Sequence, residues 1–145
     1  MKRGIMFQIL LFLIFVSLNS LADEKSKWTD SKIVPRKTQI KAVHITELRA
    51  MIDLKRFECG INFSGWEDTF LAPRLSTIKK VHLDQLRQAV TELSIKEQEL
   101  RGLTYPRGPQ FQSGNIEAKK TLIRAEHINE LRDLVEKINC PKTKK

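Results

Sequence analysis

The stretch Ile40-Lys41-Ala42-Val43-His44-Ile45-Thr46-Glu47-Leu48-Arg49 returns twice more along the chain. The second copy is Ile78-Lys79-Lys80-Val81-His82-Leu83-Asp84-Gln85-Leu86-Arg87, and the third is Ile123-Arg124-Ala125-Glu126-His127-Ile128-Asn129-Glu130-Leu131-Arg132. Together they hold all 3 histidines of the 145-residue sequence. The match continues upstream without a gap. Trp28, Trp66 and Phe111 stand 16 residues before their histidine, Asp30, Asp68 and Ser113 stand 14 before, and Ile33, Leu71 and Ile116 stand 11 before. Pro35-Arg36 and Pro73-Arg74 recur where the third copy has Ala118-Lys119, and Thr38, Ser76 and Thr121 follow. Such self-similarity marks a repeat architecture, in which each unit leaves apolar surface for its neighbours to cover. The histidines are 38 and then 45 residues apart, and the extra residues fall in Gly102–Pro109, where two Gly and two Pro mark a surface loop.

Counted from each His, the apolar residues at +1, +4, +7 and +8 lie in one arc a little over about 100° wide, the pattern of a helix resting on a core. The spacing predicts helices over about 41–57, 79–101 and 124–139, with Gly60 and Gly102 just past the first two and Pro141 after the third. Glu92/Lys96 and Glu97/Arg101 are favourably spaced pairs on the long second helix. The segments before the helices are too short and too rich in Pro and Asp to be helical, and read as extended arms with a turn. Their aromatic and Ile/Leu residues are expected to cover the helix stripes. The fold class is therefore all-α: three tandem arm-plus-helix repeats, at about 28–60, 66–102 and 111–140, packed into one small domain over 23–141.

That domain follows a targeting segment. Lys2 and Arg3 precede an apolar run from Ile5 to Val16, and Ser20-Leu21-Ala22 offers small residues at a signal-peptidase site. A helix of a dozen residues covers roughly 18 Å, too little for a hydrocarbon core of about 30 Å. Residues 1–22 are expected to be a cleaved signal peptide, which makes the protein exported: periplasmic, cell-surface or extracellular, with no stable membrane span after processing. The remaining chain, Asp23–Lys145, carries 24 basic and 17 acidic residues, a net +7. Only 44 of its 123 residues are apolar, so thin, shared hydrophobic layers are expected rather than one deep interior.

In an exported chain, the only two cysteines, Cys59 and Cys140, point to a disulfide. Each follows a repeat helix at nearly the same place, at +15 and +13 from its His. A bridge between the first and third units requires the three to close on themselves, roughly as a triangle with pseudo-threefold character. In a linear stack the second unit would separate the two cysteines.

His44, His82 and His127 fall inside the apolar stripe. Their identical placement reads as structural, each bonding arm and backbone, rather than as a three-His metal site. Trp28, Trp66 and Phe111 are assigned a structural role with them. Each unit also repeats three cations: Arg36, Lys41 and Arg49; Arg74, Lys79 and Arg87; Lys119, Arg124 and Arg132. Arg in particular binds carboxylate and phosphate with two parallel hydrogen bonds, which makes these nine the candidate anion-binding residues. A competing reading pairs the arginines at +5 with the arm aspartates Asp30 and Asp68. The tail at 142–145 is basic and reads as solvated. The sequence carries no Ser/His/Asp order, Gly-rich phosphate loop or paired acids, and no cofactor is implied. Nucleic acid is disfavoured by export and by the lack of aromatics among the basic residues.

The pattern at Trp28–Arg49 resembles a tandem repeat of secreted bacterial proteins that has no established activity. The resemblance covers most of the chain after residue 22, and it implies export and repetition. The phrase Ile123-Arg124-Ala125-Glu126 is in part similar to the Ile-Thr-Arg-Ala-Glu phrase of S-layer homology domains. That resemblance implies three copies in a pseudo-threefold unit that binds acidic cell-wall polymer. The reading that follows is a non-enzymatic, exported binding module for an anionic envelope polymer or an acidic protein surface. The alternatives are a structural adaptor that docks a protein through its apolar or arm surface, and a metal site built from the three histidines.

Overall fold

The computed structural model describes residues 28–62, 65–72, 76–117 and 122–141. It contains three helices, α1 (Ala42–Glu58), α2 (Lys80–Leu100) and α3 (Ala125–Lys137), and no strand among the described residues. The chain is all-α, as the spacing of apolar residues predicts. Residues 1–22, expected to be a signal peptide, lie outside the described residues, as do Arg74, Lys119 and the tail at 142–145.

Each helix packs on both of the others. The core is built where their stripes meet: Ile45, Leu48 and Ile52 on α1, Leu83, Leu86 and Val90 on α2, and Ile128, Leu131 and Val135 on α3 are all 0% exposed. The arm residues Ile33, Leu71 and Ile116 are buried against this cluster. Three short helices hold no deep interior, and the arms supply the rest of the apolar cover, in keeping with the low apolar content.

The helix starts share one device. Lys41, Lys79 and Arg124 occupy the N-cap in extended conformation and offer no capping oxygen. The histidine three residues on takes the place usually given to Glu or Gln in a capping box. Its Nδ1 accepts the N-cap N–H at 3.1 Å from Lys41, 3.1 Å from Lys79 and 2.9 Å from Arg124.

The first two helices also end alike. Gly60 (φ 69°) and Gly102 (φ 83°) take left-handed conformations. Behind them the N–H of Ile61 donates to the Arg56 carbonyl at 2.9 Å, and that of Leu103 to the Gln98 carbonyl at 3.0 Å. These are Schellman closures, and a glycine at each adopts the backbone without a Cβ penalty. The third helix stops at Lys137, ahead of the expected 139, because Ile138 turns to extended backbone. The strand-like end is held on α2: Asn139 N–H donates to Glu97 at 3.1 Å, and its carbonyl accepts from Arg101 at 2.8 Å.

The sulfurs of Cys59 and Cys140 stand 2.00 Å apart as a disulfide, with 5.3 Å between Cα atoms, so the ends of α1 and α3 are adjacent. The loop inserted after α2 folds back along that helix. Gln98 clasps Arg107, accepting its N–H at 3.0 Å and donating to its carbonyl at 2.7 Å. Of the two charge pairs expected on α2, Glu97–Arg101 forms at 3.0 Å. Glu92 turns instead to Arg56 of α1 at 2.7 Å, and Lys96 takes Glu99 at 3.6 Å.

Candidate functional site

The histidines are buried side chains with both ring nitrogens engaged. Because Nδ1 accepts from the N-cap, the ring proton sits on Nε2, which donates to the arm of the same unit. The acceptor is Asp30 for His44 at 2.8 Å and Asp68 for His82 at 3.1 Å. The third arm has Ser113, and His127 donates to its backbone instead. Each histidine thus ties one helix start to its own arm. Among the described residues no three His, Cys, Asp or Glu side chains are grouped to hold a metal ion.

The histidine bonds leave a mark on the carboxylates. Asp30 is held below its ordinary value of 3.8 first by the hydrogen bond from His44, and Asp68 by those from Lys79 and His82. Burial and the Arg87 charge hold His127 below its ordinary value of 6.5.

The arginines at +5 do not reach their own arms, nor do they seek the aspartate carboxylates. Each reaches the main chain or hydroxyl of another unit's arm and lies over the aromatic ring there. Arg49 of α1 donates to the carbonyls of Glu67 and Asp68, both at 2.9 Å, with its guanidinium 5.2 Å from the Trp66 ring centre. Arg87 of α2 donates to Ser113 Oγ at 2.7 Å and lies 4.8 Å over Phe111. Arg132 of α3 donates to the Asp30 carbonyl at 2.8 Å and to Glu47 at 3.3 Å, and lies 4.4 Å over Trp28. Arg132 therefore has a partner in the first arm. The physical reason is reach: the arginine points off the flank of its helix, and the arm lying on that flank belongs to a neighbour.

The aromatics follow the same rule. Trp66 lies against α1, where its indole N–H donates to Asp53 at 3.0 Å, and Trp28 lies against α3, donating to Glu136 at 2.8 Å. The aromatics also pack on the apolar stripes as expected, Trp28 within the core and Trp66 and Phe111 against it, and in addition they cover arginine and acid on the flank. Where the third arm has Phe111, whose side chain has no N–H, α2 carries Thr91 at the equivalent place.

Sequence reasoning missed a further group, the acids at +3. Glu47 accepts the Thr29 N–H at 2.7 Å while it holds Arg132. Glu130 accepts the N–H groups of Gln112 and Ser113 and the Ser113 hydroxyl, with Arg87 at 3.9 Å. The second unit has Gln85 there, and its Oε1 is buried without a partner. The recurrence of Glu at +3 was visible in the sequence, but its task depends on an arm and an arginine from two different units.

With the +5 arginines occupied, the remaining repeated cations among the described residues are the exposed ones. Lys41 is 58% exposed and 3.8 Å from Asp30, and Lys79 is 60% exposed and 2.9 Å from Asp68. Arg36 and Arg124 are also exposed. Arg36 sits in left-handed backbone (φ 61°) at the turn where Val34 and Thr38 bond each other. Lys41, Lys79 and Arg124 stand at the N-terminal ends of the helices, and Arg36, Lys41 and Arg124 border two adjoining clefts. One, of about 480 Å³, runs between Arg36 and Arg124. The other, of about 760 Å³, is bordered by Lys41 and floored by Ile40, Ile78, Leu122 and Ile123. No helix among the described residues is long and apolar enough to cross a membrane.

Comparison of this chain with protein-family models, curated proteins and solved structures finds no match to any of them.

Proposed function

We propose that this protein is a non-enzymatic, exported binding module for an anionic partner, an envelope polymer or an acidic protein surface, with its site at the N-terminal ends of the three helices. The observation that carries this reading is the division of labour among the repeated cations. Arg49 and Arg132 are spent inside the fold at 5% and 4% exposure, whereas Arg36, Lys41 and Arg124 border open clefts and Lys79 is exposed at the N-cap of α2. Exposed cations beside a cleft attract anions more effectively than the same charges spread over a convex surface.

In this reading the three units are tandem copies closed in a pseudo-threefold ring. Each +5 arginine grips the arm of the next unit, and Arg132 returns to the first. The Cys59–Cys140 bridge suits an oxidising compartment, in line with residues 1–22 as a signal peptide. The closed ring matters for binding because it gathers equivalent cations from all three units at one end.

The test is co-sedimentation of the purified protein with cell-wall material across a salt series, alongside the variant R36A/K41A/K79A/R124A. Binding by the native protein is expected to weaken as salt rises, and the variant is expected to bind far less at low salt. K96A, on α2 and away from the clefts, is expected to bind as the native protein does. Absence of binding at every salt concentration overturns the reading, and so does equal binding by the quadruple variant.

A second reading, docking of a protein partner through an apolar surface, draws on Phe57, Phe70 and Tyr105, which are more than four-fifths exposed at 84%, 83% and 85%. Its test is the triple serine variant in cross-linking from the native host.

A further inference from the structure

The floor of the larger cleft is apolar, and each unit contributes to it. Ile40, Ile78 and Ile123 stand four places before their histidines, pack against the core and line this cleft of about 760 Å³. Beside them Leu122 is 75% exposed, at the place where the other units have Gln39 and Thr77. The cleft of about 480 Å³ shares Gln39, Ile40, Leu122 and Ile123 with it, so the two are continuous. Among the described residues, the charged groups lining the pair are Arg36, Lys41 and Arg124 against one acid, Glu126. The main chain here is unpaired as well. Among the described residues, the backbone N–H and C=O groups of Gln39, Ile40, Thr77, Ile78, Leu122 and Ile123 make no hydrogen bond within the protein. The residues that follow them, Lys41, Lys79 and Arg124, are extended.

We propose that the joined clefts dock an extended acidic segment of a partner protein, which seats an apolar side chain on Leu122 and the isoleucine floor and sets its carboxylates against Arg36, Lys41 and Arg124. The inference rests on the anion-binding reading above and names its partner. A polymer of sugar and phosphate matches the cations but has no apolar group to cover the floor. An anionic lipid matches cations and floor but brings no donors to the free carbonyls. A second copy meeting the site face to face sets the same cations against each other. A polypeptide segment matches all three features, because strand-like docking joins main-chain hydrogen bonds for affinity with side-chain pockets for specificity. The cations are exposed at the rim, where charge governs the rate of encounter and its salt dependence. The apolar anchor sits at the centre, where truncation of a contact costs most binding energy. Leu122 is therefore the residue that sets the preference for an apolar anchor.

The experiment is fluorescence anisotropy on the purified, oxidised protein with two labelled peptides of Asp and Glu, one with a central Leu and one with Ser in its place. Poly(glycerol phosphate) and phosphatidylglycerol vesicles serve as the polymer and lipid probes. The Leu peptide is expected to bind about tenfold more tightly than the Ser peptide, since part of a leucine side chain leaves water. L122S, at an exposed position, is expected to keep its circular dichroism and its affinity for the Ser peptide while losing most of the preference for Leu. K41A/R124A is expected to weaken both peptides and flatten their salt dependence. Equal affinity for the two peptides overturns the proposal, as does a Leu preference that survives in L122S. If the polymer binds and neither peptide does, this inference fails while the anion-binding reading stands. Vesicle binding that is lost in L122S, with neither peptide bound, identifies a lipid occupant and also overturns it. No binding by any probe overturns both.

Discussion

The second unit carries a polar defect that a single substitution should repair. Gln85 stands where the other units have Glu47 and Glu130, and its Oε1 is buried without a hydrogen-bond partner. In the first unit one carboxylate oxygen accepts the arm N–H at 2.7 Å and the other accepts from Arg132 at 3.3 Å. Glu47 faces Arg132 and Glu130 faces Arg87, so by the same pattern the arginine of position 85 is Arg49, to which Gln offers only one acceptor. An orphaned buried acceptor costs about 1–3 kcal/mol, and a hydrogen bond to a charged group contributes about 1.5–3 kcal/mol. Against these gains stands the desolvation of a new carboxylate, which is reduced because the residue is only partly buried. Q85E is therefore expected to stabilise the fold by about 1 kcal/mol, or to raise Tm by about 4 °C in a domain of this size. Urea denaturation at pH 7 measures it directly as a higher midpoint with unchanged slope. The direction is the discriminating feature, since most substitutions at partly buried positions destabilise. E47Q and E130Q should move the midpoint the other way. The gain from Q85E should also shrink in an R49K background, because lysine lacks the planar fork that spans two acceptors. A neutral or destabilising Q85E, or one whose effect is the same with R49K, would refute the reasoning that links arm, acid and arginine.

Removal of the disulfide in C59A/C140A is expected to lower stability by up to about 4.5 kcal/mol, the polymer estimate for a closed loop this long, measured by urea unfolding; its 81-residue separation ties the first unit to the third. The circular dichroism should remain helical, because Arg132 still joins α3 to the first arm. At Gly108 an added Cβ would meet Thr91 Cγ2 at 2.6 Å, so G108A should cost about 1–2 kcal/mol in thermal unfolding, with T91S/G108A recovering most of it. Stability held by Asp30 and Asp68 is complete above their ordinary value of 3.8 and falls as the pH drops below it, because both carboxyls bind a proton less readily when folded. The double variant D30N/D68N should flatten the acid limb of the stability profile, followed by tryptophan fluorescence from pH 5 to pH 2.

Much of the helical frame was legible because its causes are local. A stripe of apolar residues, glycines that tolerate left-handed backbone and the spacing of one repeated phrase place α1, α2 and α3 within a residue or two of their observed ends. The one larger departure, at the end of α3, shows why: Ile138 leaves the helix although nothing in its own residue type requires it, and its neighbour Asn139 is claimed by Glu97 and Arg101 of α2. The side chains that join units were less legible. His44 could be read as buried, but its use as a helix cap required knowing which residue begins the helix. Pairing each +5 arginine with an aspartate of its own arm leaves Arg132 with none, because Ser113 stands there, whereas its partners, Trp28, Asp30 and Glu47, belong to a unit some 85–104 residues away.

What the sequence determined by itself, then, is the set of parts: three helices with apolar stripes, three arms, one pair of cysteines, and the cations repeated in each part. Periodicity and spacing act over a few residues, where backbone geometry alone decides which side chains share a face. Tertiary structure alone decided which arm lies on which helix. It thereby decided that the +5 arginines are enclosed and that Arg36, Lys41, Lys79 and Arg124 remain exposed. Phrases this similar carry no local signal for choosing between their own arm and a neighbour's. The choice is made by side-chain reach and by the need of every helix flank to be covered, and both exist only once all three units are packed together.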